Sequence, residues 1–539
     1  MAQAVDTVPP SPPTGEGDAD PVSPGSRAKR LRLRAGWWLT CLAFFLIGAG
    51  WAFALPVDGT YDESQHIIRA YGAASGQFYS SPAQAARGGG AWYQVPRSLL
   101  PDNVHCAWRG EDPSDKKNAS CQHQPPDDAT RERTGSTAGR YNPVYYLPVG
   151  VPMVLVPNRT GIVLARLVSS LLSAVLLASA VVVALRLRSR LTLVAVVLAT
   201  TPMAANLNGS VNPNGLEIAA GVLLWATLLA LLRTPEGTFD ATTTRRLLVL
   251  AAVAASLLLT VRALGPLWLA GIAVVALGIA PRGRVPALLR RRDTRLLLAG
   301  VSAVAVFALG WLVVSGALQA VPTRGGHEPL DDMIRLMTVD RASFWTDQIV
   351  GQFSYGETTL PSWLIMSWYA MAAALVLPAG LLASRRDRWA LLAAGLGSAL
   401  ALAVLEVAYY PTLNWAQHGR YVMPFGVGLL LLAAVVGRYP AALGGAGESR
   451  LLRLVVVGTA PLHLYALVLV MSRFQVGPGE PINPFTGAWL PPYGPAPPLL
   501  AMIAGLGLLV WYGWRGVRGF GAGSAVESPA GLVQPGRNG

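Results

Sequence analysis

The chain of 539 residues is too apolar to fold as a set of soluble domains. Hydrophobic residues make up 52% of it and charged residues only 13%, against about 25% charged residues in soluble proteins. A chain of this composition has too little polar surface to face water on all sides. We therefore predict an all-α polytopic membrane protein.

The net charge of +14 comes almost entirely from arginine, because the chain has only three lysines, Lys29, Lys116 and Lys117. Most of the arginines lie in short clusters between apolar segments. Such clusters mark the cytoplasmic side of a membrane protein. The positive charge therefore indicates topology, and no nucleic-acid partner is predicted.

The first apolar segment follows a polar and then basic N-terminal region. Residues 1–35 are rich in Pro, Ser and Gly and end in a basic stretch, so we predict a disordered cytoplasmic tail. Residues 36–55 form a helix of about 30 Å, enough to cross one bilayer core. Ala52-Phe53-Ala54 also resembles a signal-peptide cleavage site, but the length of the segment and the further spans favour a retained helix.

The arginine clusters alternate with pairs of apolar segments and predict about 12 transmembrane helices, with both termini cytoplasmic. Residues 143–157 are too short and too rich in proline for a span, so we predict an interfacial or re-entrant segment there. The predicted spans are 36–55, 161–185, 191–207, 214–232, 246–261, 264–280, 295–317, 361–383, 389–410, 421–437, 452–471 and 497–514.

This topology places four polar segments outside the membrane. They are 56–142, 318–360, 411–420 and 473–496. Because only tight connections are left on the other side, any chemistry is predicted to take place at the outer face.

Three cysteines are too few for a cysteine-based metal cluster. Cys41 lies inside the first apolar segment, whereas Cys106 and Cys121 both lie in the outer segment 56–142. An exported loop meets an oxidising environment, so a disulfide between these two is predicted. Two free surface thiols are the alternative.

The most informative polar residues follow the first span, at residues 61–76. The apolar positions of this stretch predict a short amphipathic helix on the membrane surface. Asp62, His66 and Arg69 fall on one face of such a helix, and Glu63 flanks that face. An ordinary acidic cap at a helix N-terminus explains the Asp-Glu pair equally well.

A second candidate site lies in residues 414–421, just before a late span. His418, Arg420 and Tyr421 lie there at the depth of the lipid headgroups, where an arginine can bind a phosphate. Arg262 lies between two apolar segments on the same side and can join Arg420 around one anion. An interfacial anchor is the alternative, and position alone favours it.

Other charged residues give weaker indications. For Glu217 and Glu406, at span depth, we favour structural ion pairs. His327, Glu328, Asp331 and Asp332 are interpreted as a solvated loop and not as a metal site. The sequence contains no Walker loop, dinucleotide fingerprint, His-Glu-x-x-His or Gly-x-Ser-x-Gly motif. An ATP-driven pump or a hydrolase is therefore not indicated.

A first span followed by an outward Asp-Glu and a surface helix resembles the GT-C glycosyltransferases. Within that group the chain is similar to an uncharacterised family of bacterial integral membrane proteins, a domain of unknown function. Two positions differ from the family pattern, since Asn142 replaces a proline and Asn214 an expected aspartate. The matching residues are Asp62-Glu63, His66, Arg69-Ala70-Tyr71, Gly76, Asn142-Pro-Val-Tyr-Tyr146, Arg166, Val211-Asn-Pro-Asn-Gly215, Gly419-Arg-Tyr421 and Pro424.

The resemblance implies how the chain is organised. A GT-C-like transmembrane catalytic core would cover residues 36–437 and include the outer loop 56–142. Additional transmembrane helices would follow at 438–515, and then a disordered cytoplasmic tail at 516–539. The protein would lie in the bacterial plasma membrane as a multi-pass protein.

The resemblance also implies an inverting glycosyl transfer on the outer face. A polyprenyl-phosphate-linked sugar would be the donor, and an envelope glycan, lipid or protein the acceptor. Asp62 would be the general base, with Glu63 assisting. Arg420, with His418 and Arg262, would stabilise the phosphate that leaves. The other implied substrate-binding residues are His66, Arg69 and Tyr421. No further cofactor is implied, and metal dependence stays open.

The alternative is a protein without enzymatic activity, either a transporter or an assembly factor for lipid-linked envelope glycans. A transporter would have broken helices and polar residues at the middle of the membrane. A cavity that crosses the midplane would favour this alternative, whereas a cavity restricted to the outer face favours the enzyme.

The predicted topology is tested by labelling cysteines introduced at Ser114 and Ser384 with a reagent that does not cross membranes. In intact cells Ser114→Cys should react, because it lies in an outer segment, and Ser384→Cys should react only after lysis. Labelling of Ser384→Cys alone in intact cells would contradict the assignment.

Overall fold

The computed structural model describes residues 24–78, 90–108, 117–124, 128–187, 189–317, 330–413 and 417–515. The predicted C-terminal tail, the first 23 residues of the predicted N-terminal tail, and His327 with Glu328 lie outside the described residues.

Helices make up most of the described chain. The first begins at Pro24, earlier than the predicted span, because the basic stretch contains mainly Arg, Lys, Leu and Ala, which are good helix formers. The helices are α1 Pro24–Ala54, α2 Glu63–Ala74, α3 Pro143–Leu155, α4 Arg159–Arg186, α5 Arg190–Ala199, α6 Pro202–Asn208, α7 Pro213–Arg233, α8 Ala241–Val261, α9 Gly265–Gly278, α10 Arg284–Arg290, α11 Arg292–Ser315, α12 Leu330–Arg335, α13 Ala342–Val350, α14 Ser362–Leu382, α15 Arg385–Leu413, α16 Met423–Gly426, α17 Gly428–Ala434, α18 Arg438–Val476 and α19 Ala496–Arg515.

Within the described residues, nine helices are long and apolar enough to cross a membrane. The helices α5 and α6 meet at an angle of 67° and make a tenth if they form one broken span. The 12 predicted spans agree with the structure if α9 and the short apolar helices within Gly419–Ala434 also cross. The third short apolar helix, α3, covers the segment predicted to be interfacial or re-entrant, and it contains Pro148 and Pro152.

The sides of the long helices are apolar where they are exposed. Val313 on α11 is 80% exposed and Leu381 on α14 is 81% exposed. Apolar surface of this extent is stable only against an apolar solvent. These sides therefore face the lipid bilayer, as expected for a multi-pass membrane protein.

The segments predicted to lie outside the membrane contain two small antiparallel sheets, which the sequence did not indicate. The strand β1 (Ala91–Pro96) pairs with β2 (Arg131–Ser136), with Ala91 opposite Ser136. The strand β3 (Gln352–Phe353) pairs with β4 (Thr358–Thr359). The fold is nevertheless mostly helical.

The helix α2 follows the first span, as predicted, but it is covered on both sides. Most of its residues are buried, because both the helix α3 and the sheet β1–β2 pack against it. Arg69 lies inside this layer, where its Nε and Nη2 donate to the carbonyl of Tyr141 at 3.1 and 2.7 Å, and its Nη1 donates to the hydroxyl of Tyr93 at 2.9 Å. The polar face of the helix is therefore directed at protein.

A buried ion pair between Glu63 and Arg166 joins four parts of the chain. The guanidinium donates to both carboxylate oxygens of Glu63, from Nε at 2.7 Å and from Nη2 at 2.5 Å. It also donates to the carbonyls of Leu55 and Pro56 at the end of the first span. The amide of Val211, just before α7, donates to Glu63 as well, at 3.1 Å. The pair thus fixes the start of α2 against α1, α4 and α7.

Replacement of Glu63 by glutamine should strongly destabilise the protein. The change leaves the Arg166 charge buried without a counter-ion, which typically costs about 3–5 kcal/mol. Thermal unfolding of the purified protein in detergent measures the loss. The control is Asp293→Asn, which removes a partly exposed ion pair with Arg291 and should change stability by about 1 kcal/mol or less. Equal unfolding temperatures for the two variants would contradict the structural role.

Candidate active site

Asp62 occupies the N-cap position of α2 without capping the helix. Its backbone is left-handed, with φ 58°, and its side chain makes no capping hydrogen bond. An aspartate at this position ordinarily accepts from the first-turn amides. The carboxylate of Asp62 instead accepts from Nη2 of Arg420 at 3.0 Å. An ordinary helix cap therefore does not describe Asp62.

Backbone strain is concentrated around this aspartate. Among the described residues, the non-glycine residues with positive φ are Asp58, Asp62, Ser354 and Tyr355. Conformations of this kind cost on the order of 1–3 kcal/mol each and tend to occur at functional sites. Three of the four are joined to one another by hydrogen bonds. The surrounding structure therefore holds this part of the chain in a costly arrangement.

Arg420 is almost completely buried, with 1% of its side chain exposed, although Asp62 is 41% exposed. Its guanidinium carbon lies 4.0 Å from the centre of the Tyr61 ring. Its Nε and Nη1 have no hydrogen-bond partner among the described residues. A buried guanidinium normally has its donors satisfied, so these two groups are available for a second anionic partner.

Arg262 brings a second positive charge to the same place. Its guanidinium carbon lies 4.5 Å from the centre of the Tyr421 ring, and that of Arg420 lies 5.2 Å from the same ring. Both contacts are in the range of cation–π interactions. The nearest carboxylate of Arg262 is Glu217, at 3.8 Å. The structure therefore places both arginines at one aromatic side chain.

His418 is held by Gln348, a fully buried residue that sequence reasoning missed. The side-chain amide of Gln348 lies 2.7 Å from Nδ1 of His418 and 3.2 Å from the hydroxyl of Tyr61. Its oxygen accepts from the amide of Gly419 at 2.8 Å. Burial and the neighbouring charge of Arg420 lower the pKa of His418. A neutral ring that accepts at Nδ1 carries its hydrogen at Nε2.

The carboxyl of Asp62 is well suited to accept a proton. Although part of it is accessible, the surrounding protein desolvates it and raises its pKa above the ordinary value for aspartate, against the opposing charge of Arg420. A higher pKa makes a carboxylate a stronger base. The site thus combines a basic carboxylate with two arginines and a neutral imidazole.

Three other predicted site residues make mainly structural contacts. Glu63 is fully engaged with Arg166, and Arg69 holds the backbone of the loop above α2. His66 is buried against Tyr146, whose hydroxyl lies 2.8 Å from its Nδ1. Burial, together with the charges of Arg262 and Arg420, lowers the pKa of His66. The charges of the two site arginines therefore reach His66.

The remaining predictions concern cysteines, carboxylates and metals. A disulfide joins Cys106 and Cys121, the same pair that the sequence indicates. The structural pairing expected of the two carboxylates at span depth is confirmed, since Glu217 faces Arg262 and Glu406 contacts Arg341 at 3.1 Å. In the described ranges there is no group of three or more His, Cys, Asp or Glu side chains suited to a metal ion.

Asp58, Gln348 and Tyr355 surround the site but were not predicted. Asp58 precedes a glycine in a typical turn dipeptide, and its place four residues before Asp62 was a usable signal. Gln348 and Tyr355 lie in the segment 318–360, which carries no motif. Gln348 forms a hydrogen bond with Tyr61, 287 residues away, and Tyr355 forms one with Asp62, 293 residues away.

Comparison with known proteins supports the family expected from the sequence. A family described as "Predicted membrane protein (DUF2142)" matches residues 45–429. No curated protein matches the chain. Among solved structures, the crystal structure of ArnT from Cupriavidus metallidurans bound to undecaprenyl phosphate is similar at 14% identity, covering 91% of this chain and 78% of that chain with a TM-score of 0.38.

The close packing behind Arg420 requires a glycine at position 419. A Cβ there would lie 2.0 Å from the carbonyl oxygen of Trp345 on α13. Gly419→Ala should therefore destabilise the protein by about 1–3 kcal/mol, measured by thermal unfolding. Gly300→Ala is the matched control, because nothing lies within 4 Å of the added carbon, and it should be neutral or stabilising. Two identical unfolding temperatures would contradict the packing argument.

Proposed function

We propose that this chain, which belongs to the DUF2142 family of predicted membrane proteins, is an inverting glycosyltransferase. The donor would be a sugar carried on polyprenyl phosphate, and the acceptor a hydroxyl of an envelope glycan, lipid or protein at the outer face. The observation that carries the proposal is the pairing of partly exposed Asp62 with buried Arg420, two of whose donors have no partner among the described residues.

Asp62 is the general base of this proposal. It takes the proton of the acceptor hydroxyl, whose oxygen forms a bond to the anomeric carbon of the sugar. The bond from that carbon to the phosphate oxygen breaks, and the electron pair leaves with the lipid phosphate. Attack on the face opposite the phosphate inverts the configuration. The raised pKa of Asp62 favours this proton transfer.

Arg420 stabilises the charge that grows on the leaving phosphate. Nη2 stays with Asp62, while Nε and Nη1 have no partner among the residues that the structure describes. One guanidinium can thus link the base to the leaving group, as short charge-assisted bonds allow. Arg262 adds a second positive charge beside Tyr421, and Nε2 of His418 supplies a neutral donor. Such fixed charges act where negative charge develops.

The polyprenyl carrier is supported by the resemblance of the sequence motifs to the GT-C enzymes and by the position of the site. Arg420 lies directly before a short apolar helix, and Asp62 follows the first span by a few residues. Both groups would therefore lie at the level of the lipid headgroups, where a lipid-linked phosphate would be presented.

A second candidate function is transport of lipid-linked glycans without chemistry. The observation that favours it is the broken pair α5 and α6, since discontinuous helices are typical of transporters. His463 lies at this break, with Nε2 3.1 Å from the carbonyl oxygen of Thr200. A transporter would move a labelled lipid-linked sugar across vesicles and would not need the carboxylate of Asp62.

Asp62→Asn and Arg420→Ala should fail in different ways. Asp62→Asn keeps the shape of the site and removes the base, so turnover should fall about 10²–10⁴-fold while donor binding survives. Arg420→Ala should weaken donor binding as well, because it removes a charge-assisted phosphate contact. Transfer by purified protein from a panel of polyprenyl-phosphate sugars, with donor binding measured separately, distinguishes the two.

The control for these variants is Asp102→Asn, which removes a carboxylate that is 62% exposed and should leave transfer unchanged. Full restoration of the glycan phenotype of a deletion strain by Asp62→Asn would refute the catalytic role of this residue.

A further inference from the structure

A network of hydrogen bonds that includes Tyr355 and Asp58 holds the backbone of Asp62. We propose that Asp58 and Tyr355 are positioning residues for Asp62, and that the loop closed by the disulfide between Cys106 and Cys121 holds both in place. This inference rests on the proposed function, because it concerns how the base of that reaction is oriented and how basic it is.

Tyr355 bonds to Asp62 and Asp58 through one hydroxyl. The backbone amide of Asp62 donates to this oxygen at 2.7 Å. The hydroxyl in turn donates to the carboxylate of Asp58, whose two oxygens both lie at 3.1 Å. A phenol that accepts one hydrogen bond and donates one has a fixed direction. It therefore holds the left-handed turn that aims the Asp62 side chain at Arg420.

Asp58 is buried and accepts hydrogen bonds from several sides. Its Oδ1 accepts from the amide of Ser64 at 2.8 Å. Its Oδ2 accepts from Nε1 of Trp108 at 3.1 Å and lies 3.0 Å from Nδ1 of His105. An ionised carboxylate can only accept hydrogen bonds, so it is stabilised by surrounding groups that donate them. A negative charge therefore lies one hydroxyl group away from Asp62.

Two of the groups that surround the carboxylate of Asp58 belong to residues close to the disulfide. His105 and Trp108 flank Cys106 in the sequence, and the Trp108 ring stacks on Tyr355 with 3.7 Å between centroids. At the other end, the side-chain amide of Gln122, next to Cys121, donates to the carbonyl of Val57 at 2.8 Å. Residues near both ends of the loop therefore contact Tyr355 or the backbone turn that contains Asp58.

Arg473 connects this loop to the long helix α18 by hydrogen bonds. Its Nη2 donates to the carbonyl of Ala107 at 2.7 Å, and its Nη1 donates to that of Lys117 at 3.0 Å. It also pairs with Glu357, two residues after Tyr355, at 2.7 Å. One arginine thus ties the loop and the Tyr355 turn to the same helix. The orientation of Asp62 consequently depends on four separate segments, which are the turn at Asp58, the turn at Tyr355, the disulfide-bonded loop and α18.

The charge of Asp58 also affects the basicity of Asp62. Burial raises the pKa of Asp62 most; the charges of Arg420 and Arg262 lower it, whereas that of Asp58 raises it. The base must be deprotonated to act, so transfer should fall as the pH drops through this raised pKa. Without the charge of Asp58 that fall should move to lower pH. The other titratable groups around these two carboxyls are Tyr61, His105, Tyr355, His418 and Tyr421.

Two variants test the positioning role in the transfer assay. Tyr355→Phe keeps the ring stacked on Trp108 and removes the hydroxyl, so kcat should fall about 10–100-fold with donor affinity unchanged. Asp58→Asn should move the acidic limb of the pH–rate profile to lower pH. The controls are Tyr369→Phe, which loses a hydroxyl bonded to a backbone carbonyl, and Asp102→Asn. Neither control should alter kcat or the pH profile.

A second readout does not depend on transfer. Carbodiimides react with protonated carboxyl groups, and mass spectrometry of the labelled peptide follows Asp62 as the pH is varied. The midpoint for labelling should lie above the ordinary value of about 3.9, move down in Asp58→Asn and stay in place in Asp102→Asn. If this shift occurs but no sugar is transferred, the proposed function fails and the positioning network stands.

The disulfide is tested by exchanging both Cys106 and Cys121 for serine. The loop would lose its closure and hold Trp108 less firmly, so kcat should fall about tenfold or more with donor affinity retained. An unchanged kcat in a folded double variant would contradict the role of the loop. The whole inference is overturned if Asp62→Asn is inactive while Tyr355→Phe and Asp58→Asn match the wild-type protein in kcat and labelling midpoint.

Discussion

The candidate site depends on the buried ion pair between Glu63 and Arg166. The guanidinium donates to both carboxylate oxygens of Glu63 and to three carbonyls at the end of the first span. Such a pair is costly to bury and still more costly to break, so it fixes where α2 begins. Asp62, the preceding residue, is thereby set at the junction of span and helix. Of these two adjacent acidic residues, Glu63 is buried in the ion pair and Asp62 is partly exposed.

Two neighbouring residues of one short segment thus differ in role, since Glu63 stabilises the fold and Asp62 is the proposed base. Environments that differ this strongly separate the roles of neighbouring carboxylates. Glu63 is surrounded by donors and fully buried, whereas Asp62 is partly exposed and pairs with Arg420, whose Nε and Nη1 have no partner in the described part of the chain. In the proposed reaction the leaving phosphate would supply the missing partner of this buried arginine. On this proposal the stability of the fold and the reactivity of the site depend on different arginines.

Much of this arrangement could be predicted from the sequence. Hydropathy predicted the order of the helices, and the two motifs that contain Asp62 and Arg420 were both identified as candidate sites. Their position on the outer face stays a prediction from the arginine clusters. The hydrogen bonds that Tyr355 makes with Asp58 and Asp62 could not be predicted, because contacts between residues 293 or more positions apart depend on which loops meet. The burial of α2 was missed for a related reason. An amphipathic pattern shows which face is apolar, but it does not show what covers the polar face.

The central claim is that Asp62 activates an acceptor hydroxyl for direct displacement of a lipid phosphate. The measurement that tests it most directly is the anomeric configuration of the product formed by the purified wild-type protein, determined by NMR against the configuration of the donor. A single displacement with a base on one face and the phosphate on the other predicts inversion. A product of retained configuration would contradict the account, because it requires a covalent intermediate and a nucleophile in place of a base.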